Sequence, residues 1–263
     1  MDLGLRGRVA LVAASSKGLG KAVAEELGAE GANLVLCARD DSALRATADE
    51  IRQRSGVKVH SVQADVARTG DPERVVREAI RVFGKVDILL TNSGGPPAGP
   101  FESHSAEVWD NAYRLVLVSV VEFCRAAVPG MKERRWGRIL NVTSIAAKQP
   151  VDNLMLSNSI RAGVIGFART LANEVAPFGI TVNNLVPGFT RTERMVELAG
   201  VNAKREGITV EEAQRRFAAQ IPMGRMAEPR EFAALAAFLA SERASYITGQ
   251  SMAVDGGWIR GLL

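Results

Sequence analysis

Ser157 and Arg161 stand four residues apart at the start of a helix-like segment, and their side chains could do chemistry together. A spacing of four places two side chains on one face of a helix. Arg161 supplies positive charge and several donors, but a pKa above about 12 keeps it from exchanging protons readily. Ser157 supplies a hydroxyl without the acidity of a phenol, whose pKa is about 10. The pair predicts a site that orients polar groups more readily than it donates protons. The alternative is an ordinary first helical turn with a solvated arginine.

A second candidate site is the turn AASSKGLG, which follows the first apolar run and opens the first helix-like segment. Small residues in such a turn let the backbone approach a pyrophosphate, and the helix N-terminus adds free N–H groups and a favourable dipole. The stretch predicts a phosphate-binding turn, and a tight strand-to-helix turn without a ligand is the alternative. The residues assigned to this site are Ala14, Ser16, Lys17, Gly18, Leu19 and Gly20.

The end of the second apolar run, LCARDD, bears on which dinucleotide the turn would bind. An acidic residue there would bond the ribose 2′-hydroxyl and repel a 2′-phosphate. The chain instead has Arg39, whose planar fork suits a phosphate, and Lys17 adds a second cation. These residues predict a preference for NADP(H) over NAD(H). Asp40 and Asp41, which follow, are expected to cap the next helix.

The composition bounds the other functions that are open to the chain. Its 263 residues, 47% of them hydrophobic, suffice for the core of one large α/β domain. The net charge of +4 is small and scattered, so we expect no nucleic-acid partner. No apolar run approaches the ~18 residues of a membrane span. Two isolated cysteines and two isolated histidines predict no metal site, and a reducing cytoplasm is the expected setting.

One local basic run occurs in the stretch MKERRWGR. It could meet an acidic partner, but our interpretation is the solvated end of a helix. Its cations are Lys132, Arg134, Arg135 and Arg138.

Strand-like and helix-like segments alternate along the whole chain. The strand-like runs are 9–14, 33–38, 57–62, 86–91, 138–143, 180–187 and 251–254. The helical patterns are 20–31, 41–54, 72–84, 105–131, 156–176 and 229–241. Apolar strands separated by helices are buried on both faces, which indicates a parallel sheet with right-handed crossovers. The order predicts a single α/β, doubly wound, Rossmann-type domain with a seven-stranded parallel sheet.

Residues 189–225 interrupt this alternation, because they separate two sheet elements by far more than the usual few residues. The segment has helical periodicity of its own. A helical lid over a ligand crevice and a surface insertion without a function are the two interpretations.

Five motifs occur in a fixed order along the chain. They are AxxxGxG at 14–20, Asp65-Val66, Thr91-Asn92-Ser93-Gly94, Pro187-Gly188 with Thr192, and ITGQSMAVDGG at 247–257. Through them the chain resembles the classical short-chain dehydrogenase/reductase family, and within it the 3-oxoacyl-acyl-carrier-protein reductases, over essentially its whole length. The first motif has Ala14 where the family has glycine, and the third differs from the family's Asn-Asn-Ala-Gly at two positions.

The resemblance implies roles for these residues along a bound dinucleotide. Asp65 and Val66 would contact the adenine ring, and Pro187, Gly188 and Thr192 would lie beside the nicotinamide. The remaining residues assigned to the cofactor by resemblance are Asn92, Ser93, Gly94 and Arg161, the last of these at the nicotinamide ribose.

The family's catalytic tetrad, Asn-Ser-Tyr-Lys, is matched at one position only. Ser144 falls at the serine position, whereas Ser157 stands at the tyrosine position and Arg161 at the lysine position. The asparagine position falls on Val116. Losing one general acid typically costs roughly 10²–10⁴ in rate. Slow or unusual carbonyl reduction is thus expected in place of efficient conventional ketone reduction.

Three hypotheses follow. The first is an NADP(H)-linked reductase of a small-molecule or acyl-thioester carbonyl, in which Ser144 holds the carbonyl and Ser157 or a water chain passes the proton. The second is a catalytically silent dinucleotide-binding protein that serves as a sensor or an oligomer partner. The third is a structural subunit without a ligand.

The family resemblance also implies a homodimer or homotetramer. The alanine-rich stretch 232–240 could pack against a partner or within the core.

Overall fold

The computed structural model describes residues 2–262, and one sheet of seven parallel strands crosses it. The strands are β1 Val9–Ala13, β2 Asn33–Ala38, β3 Val59–Gln63, β4 Ile88–Thr91, β5 Gly137–Val142, β6 Ile180–Pro187 and β7 Ser251–Val254. Their order across the sheet is β3-β2-β1-β4-β5-β6-β7. The order reverses between β1 and β4, which is where ligands bind in doubly wound sheets. The predicted fold class is confirmed.

Helices cover both faces of the sheet, as its apolar strands require. They are α1 Gly18–Ala29, α2 Asp41–Ser55, α3 Asp71–Phe83, α4 Ala106–Tyr113, α5 Ser119–Arg134, α6 Met155–Val175, α7 Glu193–Glu206, α8 Val210–Ala219 and α9 Pro229–Ala240. Successive residues of β1 are buried on opposite faces of the sheet. Leu11 belongs to the apolar cluster formed with α3, α5 and α6, whereas Val12 belongs to the one formed with α1, α2 and α9. The alanine-rich stretch 232–240 belongs to this second cluster, so it packs within the core.

The single helix predicted over 105–131 is wrong in one respect. The structure has α4, then a π-helical segment Arg114–Val118, then α5. A π-helical turn holds more residues than an α-helical turn and rotates the faces on either side of it. No glycine or proline lies within Arg114–Val118, so no residue of this segment indicates the change.

Arg138 corrects the interpretation of the basic run as a solvated helix end. The helix ends at Arg134 and β5 begins at Gly137, so Arg138 enters the sheet and is only 2% exposed. Its guanidinium donates to the carbonyl oxygens of Ser241 and Gly137 and lies 3.6 Å from Glu242. A buried cation with these partners is a structural element of the sheet edge where the strands begin.

Residues 189–225 fold into α7 and α8, which pack on an apolar cluster of their own. Phe189 stacks on Phe217 with ring centroids 5.0 Å apart, and Trp258 meets Phe189 edge to face at 5.8 Å. A cavity of about 830 Å³ separates α1 from α7 and α8. Among residues 2–262, no helix combines the length and the apolar character needed to cross a bilayer.

Candidate active site

The turn between β1 and α1 forms one end of the crevice. Ala14 has a left-handed backbone with φ of 48°, which explains why glycine would suit this position better. A Cβ on Gly20 would overlap the carbonyl oxygen of Ala14, so the turn closes only with glycine there. Lys17 precedes α1 in extended conformation and makes no side-chain cap. The first N–H groups of α1 are therefore open to a ligand, as an anion-binding helix N-terminus requires.

The start of α7 faces this turn. A Cβ placed on Gly18 would lie 3.7 Å from Thr192 Cγ2 and 3.8 Å from Glu193 Oε2. The Thr192 hydroxyl donates to the carbonyl oxygen of Thr190 at 3.3 Å, which fixes its side chain. Thr192 and Glu193 therefore line the same side of the crevice as Gly18. The Glu193 carboxylate is an acidic neighbour that the sequence analysis did not consider.

A cavity of about 770 Å³ lies at the carboxyl ends of β2 and β3. Arg39 and Asp65 line it, together with three arginines that the motifs did not single out, Arg68, Arg74 and Arg77. Asp65 accepts the backbone N–H of Ala67 at 3.0 Å. Arg39 is exposed and keeps its guanidinium available to a phosphate.

Three residues that the sequence places near this cavity, Val66, Lys17 and Asp40, do not line it. Val66 is buried in the core. Lys17 is exposed at the glycine turn and is not among the residues that line the cavity. Asp40 caps α2 by accepting the N–H of Ala43, as expected.

The floor of the crevice is formed where β4 and β6 end. The Asn92 amide approaches the carbonyl oxygen of Ala14 at 3.5 Å and so joins the β4 loop to the glycine turn. Ser93 donates to the carbonyl oxygen of Gly94, which is exposed. Pro187 ends β6, and a Cβ on Gly188 would lie 2.7 Å from the Asp255 Cα, so glycine is required by that close approach.

The reactive end lies between the end of β5 and the start of α6. The Ser144 hydroxyl accepts the N–H of Ala146 at 3.1 Å and caps the 3₁₀ turn Ile145–Ala147. This bond uses the hydroxyl as an acceptor, so its own proton can still be donated. Ser157 is buried on α6, on the same face as Arg161. Val116 is buried in the apolar core, so no amide occupies the position of the family's asparagine.

Arg161 is fixed to the end of β5. Its Nη1 donates to the carbonyl oxygens of Val142 at 3.0 Å and Thr143 at 2.9 Å. Its Nε is buried without an acceptor, and only 8% of the residue is exposed. Burial, together with the positive charge of Arg194, lowers the pKa of Arg161 to about 10. The guanidinium is therefore charged at neutral pH, and the alternative of a solvated arginine is wrong.

Arg194, in the first turn of α7, is a residue of the crevice that no sequence motif indicates. Its Nη2 donates to the carbonyl oxygen of Pro96 at 2.7 Å, and its guanidinium covers Gly95, where a Cβ would lie 2.8 Å from Nε. The side chain thus connects α7 to the loop that follows β4. In sequence it is one of several cations in a long insertion, and its partner lies 98 residues away.

Comparisons with known proteins identify relatives over nearly the whole chain. Residues 13–259 match the family model described as Enoyl-(Acyl carrier protein) reductase. The D-beta-hydroxybutyrate dehydrogenase of Cupriavidus necator is 34% identical over 97% of this chain and 99% of its own. The 3-oxoacyl-acyl-carrier-protein reductase FabG of Aquifex aeolicus is 32% identical over 98% and 99%. The crystal structure of L-sorbose reductase from Gluconobacter frateurii, complexed with NADPH and L-sorbose, superposes over the full length of both chains with a TM-score of 0.95 at 35% identity.

The chain belongs to the family that this model describes, within the classical short-chain dehydrogenases/reductases. It is a short-chain oxidoreductase of the FabG-like kind. These relatives are enzymes, which favours the reductase hypothesis over the catalytically silent one.

Proposed function

We propose that the protein is an NADP(H)-linked reductase of a carbonyl substrate, working with an altered catalytic tetrad. The observation that supports this most strongly is Arg161, a buried cation fixed to the end of β5 beside Ser144. A charge buried in this way costs free energy, so its presence at the reactive end of the crevice favours a functional role.

The chain's residues fit the dinucleotide at three points. The open N–H groups of α1 and Thr192 would hold the diphosphate, and Arg39 would bind the 2′-phosphate. Arg161 would donate to the nicotinamide ribose hydroxyls. Arg39, by its position at the end of β2, supports a preference for NADP(H), and L-sorbose reductase, which superposes so closely, was crystallised with NADPH.

NADPH, when bound, supplies the hydride. The chain's own residues orient the carbonyl and stabilise the charge that develops on its oxygen. The Ser144 hydroxyl would donate to the carbonyl oxygen, because a ketone oxygen can only accept and the bond from the N–H of Ala146 leaves the hydroxyl proton free. The Arg161 charge stabilises the developing alkoxide. The proton would come through the Ser157 hydroxyl or from water, while Arg161, with a pKa of about 10, stays charged at neutral pH.

The test is dinucleotide binding followed by turnover. Calorimetry should show NADPH binding to the purified protein, and NADPH should be consumed with at least one member of a panel of ketones and β-ketoacyl thioesters. Binding without consumption of any substrate would instead support the silent dinucleotide-binding protein. Absence of binding would overturn both hypotheses.

A rescue experiment separates a lost proton donor from a lost site. The double variant Ser157→Tyr, Arg161→Lys restores the family's acid and its cation. We expect ketone reduction to rise by roughly 10²-fold, the lower end of what a general acid contributes. The single variant Arg161→Lys is the matched control and should give no such rise. If the double variant is no faster, Val116, in place of the family's asparagine, also limits the site.

The lid role of residues 189–225, the homo-oligomeric state and the cytoplasmic setting remain predictions. The lid role is supported by Arg194, which joins α7 to the loop after β4 across the crevice.

A further inference from the structure

The reactive end has more positive charge than its protein neighbours balance. Arg161 is buried, and its hydrogen bonds go to two backbone carbonyls, which fix its position without neutralising its charge. Buried charges in proteins are ordinarily paired with an opposite charge. Arg161 has no carboxylate within salt-bridge distance among the described residues, and its Nε has no acceptor there.

The charged side chain that acts most on Arg161 is another cation, Arg194. Arg194 is held in the same manner, by a backbone carbonyl, through its Nη2. Among the described residues, the carboxylate within salt-bridge distance of Arg194 is that of Glu197 at 3.2 Å, whose side chain is 59% exposed, so solvent screens most of that pairing. Two guanidinium groups are thus fixed at the carboxyl ends of neighbouring strands, Arg161 at the end of β5 and Arg194 at the loop that follows β4.

The proposed dinucleotide places its phosphates at the glycine turn and at Arg39, so a neutral substrate would bring no negative charge to the reactive end. Ribose hydroxyls and a ketone oxygen accept hydrogen bonds but bring no negative charge. A carboxylate brings the charge and matches the planar fork of a guanidinium. The backbone bonds at Pro96, Val142 and Thr143 hold both arginines in place before any ligand arrives, which reduces the entropy lost on binding.

We infer that the substrate of the proposed reductase is a keto acid, with a carboxylate that Arg194 binds while Arg161 lies at the reacting carbonyl. This inference rests on the proposed function and narrows its substrate class. Arg194 is the specificity-determining residue, and α7 therefore contributes to substrate choice.

The first experiment compares acids with their neutral counterparts. Straight-chain 2-oxo and 3-oxo acids of about four to eight carbons are assayed beside their methyl esters with NADPH. We expect kcat/KM for the best acid to exceed that of its ester by at least about 10-fold. Equal or better use of the esters would overturn the inference and leave the proposed reductase standing.

Substitution of Arg194 tests the residue itself. Arg194→Gln can still donate to Pro96 but has lost the charge, so kcat/KM for the acid should fall at least about 10-fold, chiefly through KM, with the ester changed less than about twofold. Arg194→Lys keeps the charge without the fork and should fall less. Arg191→Gln is the matched control: Arg191 lies three residues earlier, pairs with Glu228 at 3.4 Å, and should leave the acid-to-ester ratio unchanged. Equal losses for acid and ester in Arg194→Gln would contradict the assignment.

A binding measurement keeps the test independent of turnover. Oxamate, an unreactive carboxylate, and oxamide, its neutral analogue, are titrated into the enzyme saturated with NADP⁺. Oxamate should bind and oxamide should not, and Arg194→Gln should weaken oxamate at least about 10-fold. Oxamate binding without turnover of any keto acid would support the anion site while overturning the proposed reductase. If no dinucleotide binds, both fall together.

Discussion

Arg138 and Arg161 are both buried arginines, Arg138 on β5 at the edge of the sheet where strands begin and Arg161 on α6 at the edge where they end. Arg138 lies 4.4 Å from the Trp136 ring and 3.6 Å from the Glu242 carboxylate, and three backbone carbonyls accept from it. Arg161 has two carbonyl acceptors, an unpaired Nε, and a second arginine as its charged neighbour. The protein therefore supplies Arg138 with a carboxylate and hydrogen-bond acceptors, whereas it leaves the charge of Arg161 without a carboxylate partner among the described residues.

The difference shows how burial distinguishes structure from function here. Burial lowers the pKa of both arginines, and each has a second arginine, Arg8 or Arg194, that lowers it further; only at Arg138 does a carboxylate, Glu242, oppose this. A cation that is stacked and paired stabilises the sheet. A cation whose charge is not balanced within the protein is a candidate for a functional role. Replacing Arg161 should therefore lower the activity, whereas replacing Arg138 should lower the stability of the fold.

The largest expected effect is the loss of activity in Arg161→Met. Removing a preorganised cation from the developing alkoxide should lower kcat/KM by about 10²–10³, or roughly 3–4 kcal/mol of transition-state stabilisation. The free energy of unfolding in urea should change by no more than about 1 kcal/mol, because the lost bonds to Val142 and Thr143 are offset by removing an uncompensated buried charge. A large loss of stability in Arg161→Met with an unchanged kcat/KM would instead make Arg161 a structural residue like Arg138.

The next effect is on stability, in Arg138→Met. The change leaves three carbonyls and Glu242 without this donor, and we expect the free energy of unfolding to fall by about 3 kcal/mol. The lower end of the usual range applies because the Glu242 side chain is 45% exposed and keeps Arg8 at 2.5 Å. Urea denaturation measures the loss. The folded variant should still consume NADPH at nearly the normal rate, which Arg161→Met should not.

The fold was largely predictable, because strands buried on both faces appear as apolar runs. The runs 9–14 and 180–187 match β1 and β6 within one residue, and 57–62 and 86–91 differ from β3 and β4 by at most two at either end. The π-helical segment Arg114–Val118 was not predictable, because it contains no glycine or proline and its apolar residues continue the helical pattern.

Residues of the candidate site were predictable only where their position along one strand determines where they lie in the fold. Arg39 follows β2, so its place at the sheet's carboxyl edge follows from the strand alone. Arg194 depends on how a separate pair of helices folds back onto the β4 loop, which no local pattern encodes. Arg138 was misinterpreted because a charge beside a helix end is usually solvated, and its partner Glu242 lies more than 100 residues away.

Arg39→Ser sharpens the comparison at the far end of the crevice, where a cation is exposed and should contribute less. A hydrogen bond to a charged group is worth about 1.5–3 kcal/mol, so NADPH affinity should fall roughly 10-fold or more by calorimetry while NADH affinity changes little. Arg77→Ser, in the same cavity but 3.7 Å from Glu73, is the matched control and should shift NADPH affinity less than about threefold. Equal losses for both dinucleotides would remove Arg39 from the 2′-phosphate site.

The smallest expected effect is a gain, in Glu193→Gln. The Glu193 carboxylate faces the glycine turn, where it would repel a diphosphate across a gap lined by Gly18 and Thr192. Removing one exposed charge should tighten NADPH binding about twofold at low ionic strength, and added salt should erase the difference because it screens the repulsion. Glu211→Gln, on the α8 side of the larger cavity, is the control and should have a smaller effect. Weaker binding in Glu193→Gln would mean that this carboxylate assists the cofactor. In that case the unbalanced positive charge would be confined to Arg161 and Arg194, and the rest of the crevice would not favour anion binding.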